Sequence, residues 1–146
     1  MDRTRQVLAL AAVALVTVSL AGCARSGPVY AETSNEYSAA NVDALFENAQ
    51  ATDIESHASA RSEELRHRAL VNLRDQGPGA SSAADLITET FPADTRGVPV
   101  YVERAAYGGT EAVFLLEAIG PQGGSLDDTR LWVISEAGEV LYSEVR

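Results

Sequence analysis

Few groupings in this chain have the residue types and spacing for chemistry. Glu64 and His67 form an E-x-x-H pair in a helical stretch, with His57 further upstream. On a helix, about 100° per residue turns all three toward one outward side, as converging metal ligands must be. Arg61 and Arg68 share that side, however, and guanidinium charges oppose a cation. The same residues make an ordinary exposed face with i,i+3 and i,i+4 charge pairs, so no metal and no cofactor is expected. Ser56, Ser59 and Ser62 near His57 lack the strained G-x-S-x-G turn that presents a nucleophile, and capping or solvation is expected of them. Asp127-Asp128 sits in a glycine-rich loop without the spacing of a calcium loop. Gly77-Pro78-Gly79 and Gly123-Gly124 lack the lysine of a phosphate loop. No residue is assigned a catalytic role.

Cys23, the single cysteine, has a more informative setting. A basic head (Arg3, Arg5), an apolar run from Val7 to Val18 and a small-residue exit at Ala21-Gly22 have the layout of a secretory signal peptide. The run is about a dozen residues, whereas a membrane-spanning helix needs about 20. Leu20-Ala21-Gly22-Cys23 resembles the lipobox of bacterial lipoproteins and matches all four of its positions. That resemblance implies a diacylglyceryl group on the Cys23 sulfur and removal of residues 1–22. Cys23 would then begin the mature protein, lipid-anchored on the extracytoplasmic face of the cell membrane. Each buried methylene adds about 0.8 kcal/mol, so two or three acyl chains hold where one holds only marginally. The competing reading is an unmodified thiol in a signal peptide processed elsewhere.

Loss of residues 1–22 removes Asp2, Arg3 and Arg5 and leaves nine arginines against 20 acidic residues. So acidic a surface repels phosphate backbones, and nucleic acid is not expected as a partner. All 11 basic residues are arginine and none is lysine. With abundant Ala, Gly and Val, this composition resembles that of small lipoproteins of the actinobacterial type. One cysteine allows no internal disulfide, so packing must stabilise the single domain expected for a chain of this length.

The positioning elements divide at about residue 40. Residues 23–40 are polar, contain Gly27-Pro28 and show no apolar period, which predicts a flexible tether after the acylated cysteine. A coil of that length spans about 20 to 25 Å, enough to hold the domain clear of the headgroups. Residues 41–146 form the domain. Asn41 can cap a short helix to Gln50, and a Thr52-Glu55 capping box opens a helix from Asp53 to Gln76, stopped at Gly77. Ile54, Ala58, Leu65, Ala69 and Leu73 make its apolar stripe. A third helix is signalled by Ser82 and Asp85 and stops near Phe91-Pro92.

Beyond Pro92 the period changes to two. Val98–Val102 and Ala112–Leu116 flank Gly108-Gly109, which predicts a hairpin setting Tyr101 opposite Leu116, Val102 opposite Leu115 and Glu103 opposite Phe114. Both faces carry apolar side chains, so each should be covered. A second hairpin joins Arg130–Ile134 to Val140–Tyr142. The order predicts an α+β fold with N-terminal helices on one face of a four-stranded antiparallel meander. It is similar in element order to cystatin-like and nuclear-transport-factor-like folds, and to the helix-helix-sheet layout of outer-membrane assembly lipoproteins and lactamase-inhibitor proteins, which carries no function. Tyr101, Phe114 and Leu116 share one face, a candidate binding surface if the helices take the other. The expected function is that of a lipid-anchored cell-envelope accessory or binding protein, acting through a protein or ligand contact on its sheet. Its expected partners are the membrane and an envelope protein. The alternative is an envelope-associated hydrolase whose carboxylates sequence alone does not identify.

Overall fold

Gly108 (φ 57°) and Gly109 (φ 81°) both take left-handed backbone, which makes the two-residue turn that matches strand twist. They join β2 (Val98–Tyr107) to β3 (Thr110–Ile119) in the expected register, with Tyr101 opposite Leu116, Val102 opposite Leu115 and Glu103 opposite Phe114. The register slips once, between Pro99 and Tyr101. A bulge beside Pro99 fits a residue that has no N–H to give the ladder. β4 (Asp128–Ser135) and β5 (Val140–Val145) complete the antiparallel meander. The computed structural model describes residues 27–49, 57–92 and 96–146; Cys23 with its lipobox and the Thr52-Glu55 box lie outside them.

Among the described residues the sheet has five strands rather than four. Residues 29–37, expected within the tether, form β1 (Val29–Tyr37), which pairs in parallel with β2 at the edge of a sheet ordered β1-β2-β3-β4-β5. An edge strand bonds a neighbour on one side only, and most of β1 is exposed, so its side chains show no apolar alternation. Its main chain makes the ladder. A parallel pair needs a long crossover, and the helical segments between Val42 and Thr90 supply it.

The helical segments also differ from the expectation. Val42–Ala49 is a 3-10 helix. A short 3-10 turn at Ser59–Arg61 leads into α1 (Ser62–Arg74), so His57 precedes the helix instead of sharing its face. Glu63 and Glu64 in the first turn of α1 suit the positive end of its dipole. α2 (Pro78–Thr90) starts one turn before the Ser82-Asp85 box: Gly77, at φ 123°, ends the preceding turn, and Pro78 opens the new helix where no N–H is needed.

Helical segments cover both faces of the sheet. On one face Val102, Val113, Leu115 and Ile134 pack against Ala80, Ala83, Ala84 and Ile87 of α2 with Leu70 and Leu73 of α1. The opposite face sets Phe114, Leu116, Leu131 and Val133 against Val42, Leu45 and Ala49 of the 3-10 helix. Leu65 and Ala69 of α1 join this second cluster. α1 feeds both cores because it crosses the end of the sheet at which β1 and β2 begin. Its entry is held there by Ser59 N–H donating to Gly124 O (2.8 Å) and its exit by Gln76 Nε2 donating to Pro28 O (2.7 Å).

Candidate functional site

Among the described residues, the most deeply buried charges are two glutamates. Glu103 on β2 (1 % exposed) and Glu117 on β3 (0 % exposed) sit in strands that are otherwise largely apolar. Glu103 shares the face of Phe114, and Glu117 belongs to the opposite one with Val113 and Leu115, by the alternation of β3.

Glu103 is held by neutral donors. The β1 register shifts between Glu32 and Glu36, and this irregularity brings Thr33 and Asn35 onto the carboxylate. Thr33 Oγ1 donates at 2.5 Å and Asn35 Nδ2 at 3.2 Å to Oε1, while Tyr101 Oη donates at 2.9 Å to Oε2. Tyr37 Oη lies 3.2 and 3.3 Å from the two oxygens. Burial and then the hydrogen bond to Glu103 push the Tyr101 phenol well above its usual range. Tyr37 moves the same way, chiefly through burial, against the Asn35 hydrogen bond. The cluster stitches the edge strand to the sheet.

Glu117 is held by cations. Arg66 Nη1 reaches Oε1 at 2.5 Å and Gly97 O at 2.7 Å, Arg130 Nη2 reaches Oε2 at 2.9 Å, and Trp132 Nε1 donates to Oε2 at 2.9 Å. Arg130 also lies over the Trp132 ring, 4.8 Å from its centroid. A side chain at Gly97 would collide with the carboxylate, since an added Cβ would fall 2.3 Å from Glu117 Oε2. Outside Arg66, a cavity of about 540 Å³ is lined by Ser62, Glu63, His67, Phe91 and Arg96 among others. The Arg66 Nη2 atom is buried and makes no hydrogen bond.

Chemically, neither carboxylate is poised for proton transfer. Each oxygen is already engaged by protein donors, and the two side chains lie on opposite faces, so they cannot flank one bond as a glycosidase pair does. Arg61 and Arg68 take up Glu64, at 3.3 and 2.6 Å. Among the described residues no three His, Cys, Asp or Glu side chains converge as a metal site would require. Ser59 Oγ donates to Pro121 O at 2.8 Å, and Asp127 and Asp128 are exposed.

Tyr101, Phe114 and Leu116 do share one face, but it is covered by the chain itself. Phe114 and Leu116 are fully buried in the cluster that the 3-10 helix completes, and the Tyr37 ring packs on Phe114 at 4.9 Å. Tyr101 is half-buried, its hydroxyl turned to Glu103. Sequence reading missed Glu103 and Glu117, although a signal was present. Each is a charged residue at an inward position of a strand-like run, where a carboxylate needs dedicated partners. No protein-family model, curated protein or solved structure matches the chain.

Proposed function

We propose that the chain is a lipid-anchored accessory protein of a bacterial cell envelope that acts by binding rather than by catalysis. One observation carries this reading: Leu20-Ala21-Gly22-Cys23 follows a basic head and an apolar run, and it uses the only cysteine. Two further features support it. No described helix is long and apolar enough to cross a membrane, so attachment would fall to the acyl chains. Both buried carboxylates are saturated by protein donors, which suits a scaffold and disfavours the hydrolase alternative. The 3-10 helix occupies the sheet face first considered for a partner, so a partner would meet the exposed edges and loops instead.

Intact-mass measurement of the membrane-extracted protein tests the proposal. The mature chain should begin at Cys23 and exceed its polypeptide mass by two or three acyl groups, and Cys23→Ala should release the protein or leave it unprocessed. A mature protein starting elsewhere, or bearing no added mass, would overturn the reading.

A further inference from the structure

α1 turns two adjoining stripes toward one end of the sheet. Ser62, Arg66 and Leu70 recur every four residues and Glu63 and His67 lie beside them, so all five reach the wall of the same cavity of about 540 Å³. Phe91 and Pro92, where the chain leaves α2, form its apolar side, and the Phe91 ring is held against Trp132 at 4.8 Å. Ser59, Ser62 and Arg96 also line a second cavity of about 220 Å³, which runs on to Gln122 and Arg130. The loop that walls this second cavity is pinned in place. Ser59 N–H donates to Gly124 O and Ser59 Oγ to Pro121 O, both at 2.8 Å, and an added Cβ on Gly120 would fall 1.9 Å from Ser125 O.

One polar group in this wall lacks a partner. The Arg66 guanidinium commits Nη1 to Glu117 and to Gly97 O, but Nη2 is buried without a hydrogen bond. Buried donors are nearly always paired, and the planar fork of a guanidinium is the shape that a carboxylate completes. Ser62, 3 % exposed, stands one helical turn before Arg66.

Charge balance sets the class of ligand. Arg66, Arg96 and Arg130 line the two cavities against Glu63, and Glu117 pairs with Arg66 and Arg130, which leaves one net positive charge. Asp127 and Asp128 are exposed and line neither cavity. A single positive charge matches a monoanion better than a phosphate dianion, and the apolar side suits a hydrocarbon body.

We propose that the joined cavities bind a small organic monocarboxylate, its charged end received by Arg66, Arg96 and Ser62 and its apolar body laid against Leu70, Phe91 and Pro92. The proposal rests on the binding role above and on no part of the lipobox, so a failed ligand titration and a failed intact-mass measurement mean different things.

Trp132 is the only tryptophan and touches Phe91, so its emission reports occupancy. Hexanoate, its neutral counterpart hexanamide, and inorganic phosphate are each titrated into the full chain at neutral pH. Hexanoate should shift the emission saturably, hexanamide should not, and phosphate should bind more weakly than hexanoate. Replacing Arg66 would strand Glu117 and endanger the fold, so Arg96 is the position to change. Arg96 is exposed and takes part in none of the ion pairs among the described residues. Arg96→Gln should keep the melting temperature and weaken hexanoate binding by about tenfold or more. Absence of a saturable shift, an equal response to hexanamide, tighter binding of phosphate, or unchanged affinity in Arg96→Gln would each overturn the proposal.

Discussion

At the residue scale the two buried glutamates offer opposite solutions to one problem. A carboxylate taken out of water must recover its lost hydration from fixed partners, and which partners it finds decides how it responds to change. Glu117 recovers it from Arg66, Arg130 and Trp132. Glu117→Gln should therefore cost about 3 kcal/mol or more, since it leaves two largely buried guanidinium groups facing a neutral amide in place of a fully buried carboxylate. The loss should appear as a lower urea midpoint with an unchanged slope; a shift within error would mean that the ion pairs contribute nothing. Glu103 recovers its hydration from hydroxyls and one amide, which can reorient. Glu103→Gln should cost only about 1 to 3 kcal/mol, because Thr33 or Tyr101 can rotate to accept from the new NH₂ group. If the two substitutions proved equally costly, the distinction between rigid cationic and adaptable neutral partners would fail.

At the element scale the sequence was legible wherever a local rule and a buried pattern agreed. Gly108-Gly109 between two apolar runs specified both turn and register, and the pairs Tyr101–Leu116 and Glu103–Phe114 form as that rule requires. β1 was not legible, because its place depends on an unpaired edge of β2 brought near only by the crossover, and its own exposed polar residues resemble those of a linker. The start of α2 was misread for a related reason: Ser82-x-x-Asp85 mimics a capping box, but Gly77-Pro78 breaks the chain earlier and leaves those residues inside the helix. Neither carboxylate site could be assembled from sequence, since Arg66 is 51 positions from Glu117 and Thr33 is 70 from Glu103. The hairpin turn gives a sharp test. Gly108, at φ 57° with open space around its Cβ position, has the geometry in which asparagine is well tolerated and β-branched residues are not. Gly108→Asn should leave stability unchanged or raise it by about 0.5 kcal/mol through the less flexible unfolded chain. Gly108→Val should lower it by about 1 kcal/mol or more. Equal melting temperatures for the two variants would mean that the turn does not hold the register.

At the scale of the whole molecule, composition and fold together set a distinctive alkaline response. The chain has no lysine, and if Cys23 is acylated as proposed it has no thiol, so tyrosine alone among its side chains titrates near pH 10. Three tyrosines at the β1–β2 edge hold their protons more tightly than usual. Burial leads at Tyr30, followed by its hydrogen bond to Glu32; burial also leads at Tyr37 and, with Glu103, at Tyr101. A group whose folded pKa is raised favours the folded state below the unfolded value of 10.0, and that contribution is lost as pH rises toward the folded value. Above about pH 10 the unfolded chain ionises its tyrosines first, and the native state falls behind with each further step. The urea midpoint should thus hold steady up to about pH 9 and drop steeply by about pH 11. The edge strand should open first, because the Tyr37 phenol joins it to Glu103 of β2. Tyr101→Phe should weaken the protein at neutral pH by removing a donor to Glu103, yet flatten its alkaline decline. A decline of unchanged steepness in that variant would place the titrating groups elsewhere in the fold.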